Sequence, residues 1–283
     1  MQKRLFETAR IDEHMNTEEI LRTTAHRPFP LPAGPWVMTQ IWHHLLFANW
    51  PLPPEMVRPL VPSQLSLDTF EGQAWISIVP FYMTYVRPRG VPSVPGISRF
   101  PELNVRTYVS LQGIPGVYFF SLDAGSALVV AAARFMTYLP YFQARMEYRL
   151  LGDMMYYRSH RTHSGAPSAD FVAAYRPTSA ASSTKAGTLD YWLTERYCLY
   201  SITRKEHIFR LHIHHRPWSL QLADAELELN TMASASNIPL PSPVERPLLR
   251  YAQRQEVLIW PPEVVAPANS APQETAGEIP PGL

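Results

Sequence analysis

A strict alternation of side-chain type over residues 100–111 is the feature that most constrains the fold of this chain. The segment reads FPELNVRTYVSL, and its even positions from 102 to 110 carry polar or aromatic side chains. The odd positions from 103 to 111 carry only Leu, Val or Thr. Because successive side chains of a β-strand point to opposite faces, this pattern predicts one long strand with a polar face and an apolar face.

The polar face of that strand carries an acid, an amide and a guanidinium in a row, at Glu102, Asn104 and Arg106. Neighbours on one face lie about 6–7 Å apart, so these groups could hold one small molecule or one another. Two interpretations stay open at this point. The row is either solvated surface or the inner wall of a curved sheet, where buried ionisable groups require partners.

Composition excludes several classes of partner. The formal net charge is +1 and no basic run occurs, so we expect no nucleic acid and no anionic membrane surface. The longest apolar run, Ala127 to Ala133, is far shorter than the roughly 20 residues of a membrane span. The single cysteine, Cys198, excludes an internal disulfide framework, and the polar N-terminus lacks a signal-peptide pattern. These features predict a cytoplasmic protein.

The pattern of prolines and apolar residues divides the chain into three parts. Residues 1–35 are predicted to form a polar appendage with a Pro-rich connector, residues 36–262 a compact domain, and residues 263–283 a disordered tail. The compact part contains about eleven alternating segments broken by Pro and Gly, a short helix near 53–60 and one buried helix over 126–138. Strands without regular intervening helices predict a mainly β (α+β) fold, an antiparallel, strongly curved sheet or barrel.

Five segments together resemble the YqjF-like bacterial proteins of unknown function (domain of unknown function 2071), and the resemblance covers residues 36 to about 262. The segments are Ala74–Phe81, Val86–Arg89, Phe100–Val109, Leu193–Tyr197 and His214–Trp218. That family is similar in fold to acetoacetate decarboxylase, which implies a cone-shaped antiparallel barrel around a polar cavity. Fold likeness of this kind does not transfer function.

The chain departs from acetoacetate decarboxylase at the lysine through which that enzyme forms a Schiff base. The segment that looks equivalent here, Tyr138–Phe142, contains no lysine. Of the three lysines in the chain, Lys185 and Lys205 lie in polar loop-like segments, where a solvated amine stays protonated. We therefore expect no Schiff-base chemistry, and Tyr141 could donate a hydrogen bond from the lysine-equivalent place.

Other segments add candidates to the site. Arg134, late in the predicted helix, is expected at the rim of the cavity. Glu195 and Tyr197 share one face of a predicted strand over 194–200. His214 lies on a strand face with Arg210 and His212, either beside carboxylates as a proton shuttle or in solvent.

The His-x-His spacing of that strand also suits metal binding, but no further ligand follows at a short interval. We therefore predict no metal and no cofactor.

The sequence as a whole favours a pocket for a small acidic or carbonyl-bearing organic molecule. Three classes remain open: a non-covalent lyase or decarboxylase-like enzyme, a protein that sequesters or senses a ligand, and a scaffold in which Glu102 and Arg106 merely pair. A homo-oligomer is left open. The predicted ligand-binding residues are Glu102, Asn104, Arg106, Arg134, Glu195 and Tyr197. The catalytic candidates are Glu102, Arg106, Tyr141 and His214.

Overall fold

The chain forms one branched, strongly curved β-sheet in the computed structural model, which describes residues 15–94, 96–203, 205–241 and 245–266. The described strands are β1 Met38–Leu52, β2 Ser66–Leu67, β3 Ala74–Pro88, β4 Phe100–Leu111, β5 Ile114–Ala124, β6 Tyr141–Leu151, β7 Met154–Arg161, β8 Asp170–Pro177, β9 Ser182–Ser183, β10 Cys198–Ile202, β11 Ile208–His214, β12 Ser219–Asn230, β13 Leu248–Ile259 and β14 Glu263–Ala266. The described α-helices are α1 Thr17–Arg22, α2 Pro54–Val57, α3 Ala127–Thr137 and α4 Leu189–Thr194. Single 3-10 turns cover Arg58–Leu60 and Ser234–Ser236.

The sheet closes on itself. Strands β5, β6, β7, β8, β12, β13, β1, β3 and β4 pair in that order, and β4 pairs again with β5. A second connection runs from β5 through β10 and β11 to β13. Among the described strands, β5 pairs in parallel with β6 and β10, and the remaining pairs are antiparallel. The predicted curved, mostly antiparallel sheet is therefore confirmed, and its closure removes most exposed edges.

The two faces of β4 look into different parts of the interior. Leu103, Val105 and Val109 are fully buried in a large apolar core that also contains Tyr157 and Phe171 from the opposite wall of the ring. The other face carries Glu102 and Asn104 and looks toward a second group of apolar side chains. That group includes Phe47, Val79, Phe81, Trp218, Leu220 and Ala252. The alternation seen in the sequence thus separates an apolar core from a polar interior face.

Helix α3 was expected to be buried, and this expectation is wrong. Leu128 is 68% exposed and Phe135 is 84% exposed, while Val130 is the helix residue that reaches the core. An apolar run predicts the helix but does not say how many of its sides are covered, and α3 packs on β5 and β6 from one side. None of the described helices is long and apolar enough to cross a membrane.

Residues before 36 take part in the core, which differs from the appendage expected from the sequence. Ile20 of α1 is fully buried in a cluster with Leu258 and Trp260. At the other end, residues 263–266 form β14 rather than the start of the tail. The disorder expected for residues 267–283 lies outside the described residues.

The strand expected over 194–200 is a helix followed by a strand. The Thr188 hydroxyl accepts a hydrogen bond from the backbone N–H of Tyr191 and begins α4, which ends at Thr194. Strand β10 begins only at Cys198. Glu195 and Tyr197 therefore lie in the connection between the two elements.

Candidate functional site

The polar row of β4 is buried. Strand β4 lies between β3 and β5, and Glu102 and Asn104 are 4% and 5% exposed. Arg106 is partly buried on the same face, opposite Ser77 of β3. Of the two interpretations that the sequence left open, the inner wall of a curved sheet is the one observed.

Glu102 is held by two tyrosines from β6 and β7. The Tyr141 hydroxyl donates a hydrogen bond to Glu102 Oε2 at 3.0 Å. The Tyr157 hydroxyl donates to the backbone carbonyl of Glu102 at 2.8 Å and so fixes the strand at this point. Burial raises the pKa of Glu102 to about 8, although hydrogen bonds from Tyr141 and Asn104 oppose that rise. At neutral pH the carboxyl is therefore mostly protonated.

Arg106 has few partners. Its Nη2 donates to the backbone carbonyl of Leu193 at 3.4 Å, and its guanidinium lies over the rings of Phe47 and Tyr108 at 5.5 and 5.8 Å. Within the described residues it forms no ion pair, and its buried Nε has no hydrogen-bond acceptor. The Oδ1 atom of Asn104, on the same face, is also buried without a donor. Buried polar atoms are rarely left unpaired in folded proteins, and neither atom finds a partner among the described residues.

Glu102 and Arg106 do not pair with each other. The described contacts of Glu102 are to Tyr141 and Asn104, and those of Arg106 are to Leu193 and two aromatic rings. The Glu102–Arg106 pairing that the scaffold hypothesis predicts is therefore absent from the described contacts.

Aromatic side chains line the interior beside this row. The ring centroids of Phe47 and Trp218 are 5.1 Å apart, and Trp42 lies 5.7 Å from Phe81 and 6.3 Å from Trp218. The indole Nε1 of Trp218 is buried without an acceptor. The wall is thus apolar with one further unpaired donor, a composition typical of small-molecule sites.

Glu195 and Tyr197 form a second polar group. The Tyr197 hydroxyl donates to Glu195 Oε2, and Glu195 Oε1 accepts from the Thr184 hydroxyl at 2.7 Å and from the backbone N–H of Trp218 at 2.9 Å. These bonds occupy both carboxylate oxygens. His215 stacks on Tyr197, and its buried Nε2 has no partner. Trp218 links this group to the aromatic wall.

His214 lies away from the β4 row, under the N-terminal segment. Its Nε2 is 2.8 Å from the backbone carbonyl of Ile20, and its Nδ1 is 3.1 Å from Arg27 Nη1. Burial lowers the pKa of His214 to about 4, so the ring is neutral near pH 7. The carboxylate of Glu263 contacts its neighbour His212 instead, at 3.0 Å.

Arg134 is exposed on α3 and touches the site only through the backbone. Its Nη1 donates to the carbonyl of Tyr141 at 2.6 Å, which fixes the start of β6. A surface groove beside it is lined by Phe135, Gln143 and His163, among others. Arg134 thus positions Tyr141 rather than reaching into the interior.

Sequence reasoning missed several interior groups. The Ser77 hydroxyl lies 2.6 Å from both Asn49 Oδ1 and the Tyr108 hydroxyl, and forms a hydrogen-bonded chain under Arg106. Arg196 pairs with Asp68 at 2.6 Å, and its guanidinium lies 5.0 Å from the Tyr108 ring. No local pattern signals these contacts, because Asp68 and Arg196 are 128 positions apart.

Neither metal ligands nor a buried lysine accompany the site. In the described part of the chain no cluster of three or more His, Cys, Asp or Glu residues could hold a metal ion. Lys185 and Lys205 are exposed, and Lys3 lies outside the described residues.

The ring of strands and its polar interior face define the class of the protein as acetoacetate decarboxylase-like in fold. The chain matches acetoacetate decarboxylase from Legionella pneumophila with a TM-score of 0.54 and 13% identity, over 91% of this chain and 98% of that one. It matches the enduracididine biosynthesis enzyme MppR, solved in complex with pyruvate, with a TM-score of 0.55 and 9% identity, over 85% of this chain and 94% of that one. Likeness at such identity shows the fold alone.

Sequence similarity gives the family. The chain belongs to DUF2071, described as an uncharacterized conserved protein, whose family model matches residues 39–256. It is 50% identical over 231 residues to the uncharacterized protein YqjF of Bacillus subtilis. The aligned region covers 82% of this chain and 93% of that protein. The resemblance predicted from five short segments is therefore confirmed.

Proposed function

We propose that this protein binds a small organic acid or carbonyl compound on the interior face of β4, without forming a Schiff base. The observation that carries the proposal is Arg106, a partly buried guanidinium that no carboxylate of the described residues neutralises. A buried cation without a counter-charge is costly, and a ligand carboxylate or enolate would supply the missing acceptors in bidentate geometry.

The rest of the row supplies the other end of the ligand site. Glu102, protonated near pH 7, can donate a hydrogen bond to a carbonyl oxygen, and Asn104 Oδ1 can accept one from a ligand donor. Since the Cα atoms of residues 102 and 106 are about 13 Å apart along a strand, an acid group at Arg106 leaves room for a second polar group near Glu102.

Support from solved relatives is limited to their fold. The enzyme MppR has the same fold and was solved with pyruvate bound, so this fold accommodates a short keto acid. The two lysines in the described residues are exposed, which argues against an imine in the interior. A small-molecule ligand in a non-covalent site is consistent with both observations. The single cysteine and the polar N-terminus support a cytoplasmic location.

A second candidate is a non-covalent lyase or decarboxylase-like enzyme, and the pKa of Glu102 favours it. A carboxyl with a pKa of about 8 can both give and take a proton near neutral pH. In such a reaction a carbon–carbon bond of a keto acid breaks and carbon dioxide leaves. Arg106 then stabilises the enolate oxygen, and Glu102 transfers its proton to the carbanionic carbon. The resulting carboxylate keeps the hydrogen bond from Tyr141.

Binding is tested by calorimetry with pyruvate and acetoacetate, and with pyruvamide as the neutral analogue. We expect the acids to bind and the amide to bind at least about tenfold more weakly, since the charge that Arg106 recognises is gone. Arg106→Gln should remove the difference, whereas Arg216→Gln, a surface control, should retain it. If Arg106→Gln binds both acids as the wild type does, the ligand does not lie on β4.

Two further measurements separate the alternatives. Borohydride treatment with acetoacetate should leave the mass of the protein unchanged, and an adduct mapped to a lysine would refute the non-covalent site. Glu102→Gln should keep pyruvate binding at pH 7, because the amide also donates a hydrogen bond. If the protein is an enzyme, the same variant should lose turnover, since an amide cannot transfer the proton.

A further inference from the structure

The outward side chains of β6, β7, β8 and β12 form a surface that the described part of the chain leaves open. Burial alternates along β7, where Met155 and Tyr157 point inward while Tyr156 is 46% exposed. On β12, Leu222 is 53% exposed and Leu229 is 42% exposed. We call this surface the outer face. It contains none of the ligand-site residues and is independent of the proposed function.

Charge is segregated across the outer face. The exposed arginines Arg145 and Arg149 lie on β6, whereas the exposed acids Glu226 and Glu228 lie on β12. The order β6-β7-β8-β12 separates the two groups by three strand spacings, about 14 Å. One edge of the face is therefore basic and the other acidic.

Part of this charge is neutralised within the face. His160 pairs with Asp170 at 2.7 Å, Arg158 stands opposite Glu147, and Arg176 stands opposite Asp224. Within the described residues, neither Arg149 nor Glu226 forms an ion pair.

A single cross-strand row shows how the face is built. Arg149 stands opposite Tyr156, Tyr156 opposite Ala174, and Ala174 opposite Glu226. The row thus runs from a cation through a large aromatic ring and a small methyl group to an anion. When the row is reversed and placed against a second copy of itself, Arg149 lies against Glu226 and the Tyr156 ring lies against Ala174.

We propose that this chain forms a symmetric dimer by packing the outer faces of two copies together. A two-fold axis parallel to the strands, between β7 and β8, brings β6 of one copy over β12 of the other. Arg149 then faces Glu226 of the second copy, and the Tyr156 ring faces Ala174 of the second copy. An axis across the strands would instead bring like charges together, so the charge pattern selects one arrangement.

The size of the face suits a reversible dimer. Four strands are about 19 Å wide and eight residues are about 27 Å long, so two such faces bury on the order of 1,000 Å². That value is at the lower limit for a specific interface, and the affinity should depend on salt because charges supply much of the complementarity.

Sedimentation velocity of the full chain, at several concentrations and two salt concentrations, tests the proposal. We expect the wild type to dimerise and Arg149→Glu to weaken the dimer at least about tenfold, because symmetry places two acid–acid contacts in each dimer. Glu226→Arg should weaken it similarly. Glu55→Arg, the same charge reversal on exposed α2, serves as the control and should dimerise as the wild type does.

Mixing the two single variants gives the decisive result. In a heterodimer of Arg149→Glu with Glu226→Arg every one of these contacts is again between opposite charges, so dimerisation should return in the mixture alone. A wild type that stays monomeric at all concentrations overturns the proposal. So does a dimer that neither variant weakens, or one that the mixture fails to restore, since the contact would then lie on another surface or involve another partner.

Discussion

The Tyr141 hydroxyl of β6 donates a hydrogen bond of 3.0 Å to Glu102 of β4, over the strand β5 that lies between them. The bond joins the N-terminal end of β6 to the strand that carries the charged row. It holds a carboxyl whose pKa burial raises to about 8. The Glu102 carboxyl is therefore mostly protonated near neutral pH.

Removal of that bond should raise the pKa of Glu102 further. Burial raises this pKa and the hydrogen bond from Tyr141 lowers it. Tyr141→Phe removes the hydrogen bond, so the pKa should rise. We expect the protonated-acid carbonyl band of labelled glutamate to persist to higher pH in the infrared spectrum, and stability to fall by about 1 kcal/mol. Tyr138→Phe, on a 48% exposed tyrosine, is the control. An unchanged titration would mean that the bond does not form in solution.

Glu102 should make the folded state less stable as pH rises. Its folded pKa, about 8, lies above the ordinary value of 4.5, so the folded state retains a proton that the unfolded chain releases. The associated stability is fully present below pH 4.5 and is lost as pH rises through about 8, to a total on the order of several kcal/mol. Urea unfolding of wild type and Glu102→Gln from pH 5 to 9 measures this. Parallel pH profiles would show that Glu102 is not buried as a neutral acid.

Breaking the buried ion pair of Asp123 and Arg161 should lower the free energy of unfolding more than breaking any other charged contact of the core. Their side chains are 0% and 2% exposed, and Arg161 Nη2 lies 2.6 Å from Asp123 Oδ1. Arg161→Met leaves a buried carboxylate unpaired and should cost about 3–5 kcal/mol in urea unfolding. Arg22→Met breaks a surface pair whose side chains are 81% and 79% exposed, and should cost under about 1 kcal/mol. Equal losses in the two variants would contradict this assignment.

The sequence predicts the strands better than the site. The alternation around Glu102 and Arg106 is sufficient to predict β4 and which side chains share a face, because both follow from a period of two. It does not tell whether that face is buried, since the same pattern suits a solvated strand. Burial depends on β6 pairing in parallel with β5, which brings Tyr141 over Glu102 across 39 positions.

Local patterns were misleading where burial depends on one neighbouring element. The apolar run of α3 predicted a buried helix, but only one side of it meets the sheet. Conversely, the polar segment around Ile20 predicted an appendage, although Ile20 is fully buried in the core. A pattern read along the sequence does not show how many sides of α3 meet the sheet, nor that Ile20 contacts Leu258 and Trp260 far along the chain.

The N-terminal segment should therefore contribute to stability. Ile20 is fully buried against Leu258 and Trp260, so Ile20→Ala should cost about 2–5 kcal/mol and deletion of residues 1–25 should lower the melting temperature. Glu18→Ala, on the exposed side of the same helix, should have a small effect. Thermal unfolding of the three variants checks this. An unchanged melting temperature for the deletion would restore the view that residues 1–35 are an appendage.

Buried histidines should destabilise the protein in mild acid. Burial lowers the pKa of His43 to about 3 and the pKa values of His214 and His215 to about 4, from an ordinary value of 6.5. Between these pKa values the unfolded chain binds more protons than the folded state does. The free energy of unfolding therefore falls as pH drops from about 6.5 toward 4. Glu102 acts in the opposite direction over part of this range, so the effect is best measured in the Glu102→Gln background. There, the urea midpoint should fall steadily from pH 7 to pH 4.5. His43→Gln should flatten that fall, since one of the buried imidazoles that take up protons on unfolding is gone. If the midpoint in this background is constant across the range, these imidazoles are protonated or solvated in the folded protein, and the packing described around them is wrong.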